Sequence, residues 1–143
     1  DPRHRRTEHA TNHRGRVARF PLTRCRLFGT ANVIEHLCKI AANLAERSLR
    51  MPGVQLMMPT VLNHVVLRFG DSDQATLATV DRVQARGRVE VRATQWRNGS
   101  VMWITVRDDH LDAQQICDEL MLGWIAVQLR MRRSAAIRPT SCC

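Results

Sequence analysis

From Asn32 to about Leu49, the apolar residues Val33, Ile34, Leu37, Ile40, Ala41 and Leu44 recur at spacings of three and four. Glu35, Lys39, Asn43, Glu46 and Arg47 fill much of the other side, and the pattern predicts an amphipathic helix. Thr30 or Asn32 can cap its start, and Met51-Pro52-Gly53 stops it. Val54 to Met58 then reads as a short strand ended by Pro59, and Asn63 to Phe69 as a second. Gly70-Asp71-Ser72-Asp73 is a turn passing into a helix N-cap. The helix that follows sets Leu77, Val80 and Val83 on one side and closes at Gly87. Two β-rich runs come next, Val89 to Trp96 and Val101 to Val106, with the hairpin signal Asn98-Gly99 between them. Asp108 or Asp109 caps a last helix from about Leu111 to Arg130, whose apolar residues include Ile116, Leu120, Ile125, Val127 and Leu129.

The order α, β, β, α, β, β, α predicts an α+β fold. It is a two-layer sandwich of about four mainly antiparallel strands with about three helices, covered on one face. A chain of 143 residues has room for one such domain. Residues 1–19 are rich in Arg and His without hydrophobic period and are expected to form a mobile basic arm. The domain is expected to span 20–133, with a disordered basic tail over 134–143.

Charge changes the picture by where it sits. The net charge is +9, and Lys39 is the only lysine. Residues 1–26 hold a net +6 and residues 130–143 a net +4, so the middle of the chain carries −1. The basicity belongs to the ends. No apolar run approaches the roughly 18 residues of a membrane span, and Asp1-Pro2-Arg3-His4-Arg5-Arg6 lacks the apolar stretch of a secretory signal. A first residue that is Asp rather than Met suggests a piece of something longer or a processed product. The five cysteines, Cys25, Cys38, Cys117, Cys142 and Cys143, form no CxxC pair and no zinc pattern. Their odd number and terminal vicinal pair argue against a secreted disulfide framework, which makes the reducing cytoplasm the expected compartment. Cys38 and Cys117 fall on apolar helix faces and read as small core residues.

Candidate chemistry is sparse. Ser48, Ser72, Ser100, Ser134 and Ser141 have no nucleophile-elbow glycines around them, so no hydrolase is indicated. His9 and His13 share helical spacing, but His4, His36, His64 and His110 complete no metal set with them. His36 belongs to the exposed side of its helix, and His64 leads a strand where packing or a local hydrogen bond is the simpler role. Trp96, Trp103 and Trp124 read as core or interface anchors. The near-neutral middle shows no aromatic platform with interleaved Arg, which argues against specific nucleic-acid recognition. Nonspecific affinity for nucleic acid or other polyanions, carried by the basic ends, is the alternative function.

Specific residues then add to the pattern. Ala45-Glu46-Arg47, Pro52-Gly53-Val54 and the run Val61-Leu62-Asn63-His64-Val65-Val66-Leu67-Arg68-Phe69-Gly70-Asp71 resemble the C-terminal part of bacterial pyridoxal-phosphate-dependent decarboxylases. These are the group II enzymes, of the aromatic amino-acid and glutamate type. Val83-Gln84-Ala85-Arg86-Gly87 and Val101-Met102-Trp103-Ile104-Thr105-Val106 continue the similarity, which covers about Phe20 to Val127.

The resemblance implies a fold-type-I small domain packed on a large cofactor-binding domain within a homodimer. Pyridoxal 5'-phosphate would belong to that parent. In the family the large domain carries the aldimine lysine, preceded by a histidine, and the aspartate that pairs with the pyridine nitrogen. Neither motif occurs in this chain. Lys39 follows Cys38 on a predicted amphipathic helix and reads as a solvated face residue. The chain is therefore expected to hold no catalytic, cofactor-binding or metal-binding residue of its own and to be inactive alone. It also departs from the family within the matching region. The family places arginine after the methionine of the late strand, where this chain has Trp103, and an indole cannot supply a guanidinium's charge to a carboxylate. A domain cut from such a partner should expose apolar surface, with Met57, Met58, Leu120, Met121 and Trp124 as candidates.

Overall fold

The structure, a computed structural model, describes residues 22–107 and 110–137, with side chains from Ala31 onward. The order of elements is α1 (Leu22–Ser48), β1 (Val54–Leu56), β2 (His64–Phe69), α2 (Asp73–Arg86), β3 (Val91–Trp96), β4 (Gly99–Thr105) and α3 (Ala113–Ala136). One sheet holds all four strands in the order β1-β2-β4-β3, and every neighbouring pair is antiparallel. The α+β class, the three helices and the four-stranded sheet follow the hydrophobic pattern. The expected arm over 1–19 lies outside the described residues.

Side chains alternate across a strand, so the register divides the sheet into two faces. Val54, Val65, Leu67, Phe69, Met102, Ile104 and Val91 fall on one of them. They join one buried cluster with Leu37, Ile40, Ala41 and Leu44 of α1, Val80 and Val83 of α2, and Ile116, Leu120 and Val127 of α3. All three helices therefore lie on that face. Thr76 closes the end of β2: its hydroxyl accepts from the N–H of Phe69 and donates to the Phe69 carbonyl.

Several boundaries differ from the sequence reading. Helix α1 begins at Leu22, ahead of the capping candidates Thr30 and Asn32, which lie inside it. Strand β1 stops at Leu56, although the Met57 N–H still reaches the Val66 carbonyl at 2.9 Å. Strand β3 begins at Val91 rather than Val89. The two-residue loop of the β3–β4 hairpin is Arg97-Asn98, at φ 46° and 68°, and Gly99 already pairs with Trp96. Asn98-Gly99 thus marks the hairpin but sits one residue late.

Asp112 caps α3, with a reciprocal bond between its own N–H and Gln115, and Asp108 and Asp109 lie outside the described residues. That helix also runs past Arg130 to Ala136, through the start of the expected tail. Leu77, Ile34, Ile125 and Leu129, assigned to apolar faces, are exposed. In α2 the packed side is Ala75, Thr76, Thr79, Val80 and Val83, because threonine hydroxyls satisfied by backbone carbonyls can be buried there.

Candidate functional site: the helix-free face of the sheet

The other face of the sheet carries no described helix. Register places Gln55 of β1, His64, Val66 and Arg68 of β2, Val101, Trp103 and Thr105 of β4, and Arg92, Thr94 and Trp96 of β3 on it. Val66 and Val101 are 1% and 0% accessible yet stand outside the helix-side core. The face is thus apolar at its centre.

Around that centre the polar groups are paired closely. The indole N–H of Trp103 donates to Nδ1 of His64 at 3.2 Å, and the Thr105 hydroxyl lies 3.3 Å from the same nitrogen. The Arg92 guanidinium sits 5.7 Å from the Trp103 ring centre and that of Arg97 5.8 Å from the Trp96 ring centre, both cation–π distances. Among the described residues neither arginine has a carboxylate within ion-pair distance. Arg68 differs: its guanidinium meets Asp73 Oδ1 at 3.1 Å, and the same oxygen accepts the Ser100 N–H at 3.0 Å. The Arg68 side chain also occupies the space a Cβ at position 99 would need, which explains glycine there. Trp96 Nε1 is buried and, among the described residues, has no hydrogen-bond partner. Buried indole N–H groups ordinarily find one, so this edge of the face is chemically unfinished.

The remaining sequence candidates disperse. Lys39 is exposed on α1 and pairs with Glu35 at 3.0 Å, one turn away. Among the described residues no buried pocket or aromatic ring surrounds it, so these surroundings do not fit a pyridoxal aldimine, and no step runs through that cofactor. Ser48 donates to the Leu44 carbonyl, Ser72 caps α2, Ser100 accepts from Gln95, and Ser134 donates to the Arg130 carbonyl. His36 is exposed, as its helix position suggested. Among the described residues no three His, Cys, Asp or Glu side chains are grouped to hold a metal. Ser141, Cys142, Cys143, His4, His9 and His13 lie outside the described residues. So does the side chain of Cys25.

Cys117 is buried against the Met51 sulfur at 3.5 Å, and burial pushes its thiol pKa up, which makes it inert. Cys38 is only half-buried. Trp124 belongs to the core, its N–H donated to the Pro52 carbonyl at 2.8 Å and its ring against Phe69. Leu120 is fully buried as well, so neither belongs to an exposed patch, while Met57, Met58 and Met121 are half-buried.

Sequence reading missed one buried ionic cluster. Glu119 is 3% exposed on α3 and takes Arg86 at 2.5 Å and Arg88 at 2.9 Å. The Arg86 hydrogen bond holds its carboxyl below the usual carboxylate range against the opposing effect of burial. A groove of about 790 Å³ between α2 and α3 is lined by polar groups that are all solvent-exposed, Asp81, Arg82 and Arg130 among them. These carry mixed charge and do not converge. No described helix is long and apolar enough to cross a membrane.

This fold is similar to parts of solved pyridoxal-phosphate-dependent group II decarboxylases. The glutamate decarboxylase domain of diaminobutyrate-pyruvate transaminase and L-2,4-diaminobutyrate decarboxylase from Vibrio parahaemolyticus matches with a TM-score of 0.56 at 16% identity, over 65% of this chain and 22% of that one. Oryza sativa TDC, solved with PLP and tryptamine, gives 0.57 at 14% identity over 77% and 25%. Mouse CSAD in apo form gives 0.56 at 17% identity over 69% and 25%. The chain thus spans about a quarter of the length of these solved chains. No family model and no curated protein matches its sequence.

Proposed function

We propose that the chain is the C-terminal small-domain part, about residues 20–133, of a pyridoxal-phosphate-dependent amino-acid decarboxylase-like protein, not catalytic by itself. Its role in that reading is to dock a large cofactor-binding domain of a cytoplasmic homodimer through the helix-free face of the sheet. The observation that carries this is the one-sidedness of the sheet. Three helices share one face, while the other carries no described helix and holds the buried Trp96 N–H, which has no partner among the described residues. Val66 and Val101 are already covered, so the surface offered to a partner is the layer above them, the rings of Trp103 and Trp96 with the Arg92 and Arg97 guanidiniums, and aromatic and arginine groups are those enriched at interfaces.

Trp103 sits in the middle of that face, hydrogen-bonded to His64 and stacked under Arg92. It fills the position where the resemblance implies a carboxylate-binding arginine, so a parent containing this domain would select a different substrate or none. The test has two arms. The reading frame upstream of Asp1 should encode a large domain with a His-Lys aldimine motif. The chain alone, mixed with pyridoxal phosphate and reduced with borohydride, should yield no adduct that disappears in Lys39→Ala. An independent start codon just upstream with no such frame, or a Lys39-dependent adduct, would overturn the reading.

A second reading has one observation in its favour. Arg92 over Trp103 and Arg97 over Trp96 place two cation–π pairs on one sheet face, a surface that stacks bases and meets phosphates. Sequence had shown no such interleaving, because Arg92 meets Trp103 only across the β3–β4 ladder. Salt-sensitive binding of a single-stranded oligonucleotide, lost in a Trp96→Ala, Trp103→Ala double variant, would support it over the docking role.

A further inference from the structure

Helix α3 buries one side, from Ile116 through Leu120 to Val127, against the rest of the molecule. Its opposite side is not covered. Leu122, Ile125 and Leu129 are 51%, 43% and 51% exposed there. With Asp118 before them and Arg132 after, they recur at alternating spacings of four and three, the rhythm of a two-helix seam.

The charges on that seam are segregated. Asp118 stands toward the N-terminal end, and its Oδ1 accepts from Gln114 at 2.7 Å, which leaves the second carboxylate oxygen available. Arg132 and Arg133 stand toward the C-terminal end, exposed and, among the described residues, without an acidic partner. The fourteen residue steps from Asp118 to Arg132 span about 21 Å of helix.

We propose that this seam pairs two copies of the chain, α3 against α3, antiparallel, about a dyad between Ile125 and Ala126. In that arrangement Leu122 of one copy meets Leu129 of the other, and Ile125 meets its own counterpart near the axis. Asp118 of each copy then falls opposite Arg132 and Arg133 of its partner, so two clusters of opposite charge close the seam. A parallel pairing would set Asp118 against Asp118 and arginine against arginine. The surface is therefore complementary to itself in one orientation, the property an isologous dimer interface requires. The seam lies on the helix layer, away from the sheet face carrying Trp96 and Trp103, so the inference stands or falls independently of the proposed docking role.

Sedimentation velocity of the full chain, reduced so that no cysteine bridges copies, gives the test. A concentration-dependent dimer is expected, dissociating in the micromolar range because one helix pair buries less than a standard interface. Ile125→Glu should leave a monomer with unchanged helicity, since the side chain is exposed in the single chain. Asp118→Arg should weaken the dimer by about tenfold or more. Adding Arg132→Glu and Arg133→Glu to that variant should restore it, because the charges are exchanged rather than lost. A chain that stays monomeric at every concentration overturns the proposal, as does a dimer indifferent to both Ile125→Glu and Asp118→Arg. A charge-exchanged triple variant that fails to recover refutes the antiparallel orientation.

Discussion

Across the β2–β4 ladder the indole N–H of Trp103 points its proton at Nδ1 of His64, 3.2 Å away, with the two ring centres 5.3 Å apart. A nitrogen that accepts cannot carry the proton, so neutral His64 must be the Nε2–H tautomer. Long-range nitrogen–proton NMR of the imidazole should show that form. In Trp103→Phe the constraint is gone, the tautomers should mix, and stability should fall by about 1 kcal/mol. A dominant Nδ1–H signal in the wild-type chain would break this account of the helix-free face.

Glu119 ties the end of α2 to the second turn of α3. Its carboxyl is buried, whereas Arg86 and Arg88 remain about half exposed. Glu119→Gln keeps the shape and removes the charge, and should cost about 1–3 kcal/mol at neutral pH. The folded-state pKa is lowered, chiefly by the Arg86 hydrogen bond. The stability it contributes is therefore fully present above the unfolded carboxylate pKa and disappears as pH falls through the folded value. Urea melts of wild type and Glu119→Gln should diverge at neutral pH and converge in acid below the ordinary carboxylate range. Curves that keep a constant gap through that range would show that the ion cluster does not couple to folding.

The β3–β4 turn places Arg97 at φ 46° and Asn98 at φ 68°, both left-handed. A two-residue turn of that kind favours Asn then Gly, and arginine is strained at the first position. Replacing both, Arg97→Asn with Asn98→Gly, should raise stability by about 0.5 kcal/mol, the gain reduced by loss of the Arg97 contact with Trp96. A measured loss would indicate that the loop falls at Asn98-Gly99 after all.

That turn shows what a sequence can and cannot reveal here. Asn-Gly announces a hairpin, but the register depends on Arg68, whose guanidinium lies over Gly99 and forces glycine into the strand rather than the loop. Helix α1 was legible from Val33 onward because its apolar residues face the core. Its first turns carry no such periodicity, so its start at Leu22 was not. The sheet's second face was hidden for a different reason. Trp103, His64 and Arg92 lie on three strands and meet only through pairing, so no spacing along the chain brings them together. Glu119 gave no signal either, since a buried carboxylate on an amphipathic helix reads as a boundary residue until Arg86 and Arg88 are placed beside it.

Helices α2 and α3 are in tight contact at Gly123, and this yields the sharpest packing test. A Cβ built there would stand 2.9 Å from Cγ2 of Val83, with the Arg82 Cβ and the Thr79 carbonyl at 3.6 Å. Val83 is fully buried, and a β-branched side chain has little rotamer freedom with which to retreat. Gly123→Ala improves helix propensity by about 1 kcal/mol, but overpacking a tight core costs about 1–3 kcal/mol. The net expectation is a loss of about 1 kcal/mol. Val83→Ala alone should cost about 1–3 kcal/mol through the cavity it leaves. Combined, the new methyl enters the space the valine vacated, so the double variant should be more stable than the sum of the two losses by about 1 kcal/mol. Chemical denaturation of the four chains measures that coupling. Strict additivity would mean that α2 and α3 are not in contact at Gly123, and the helix layer would need a different packing.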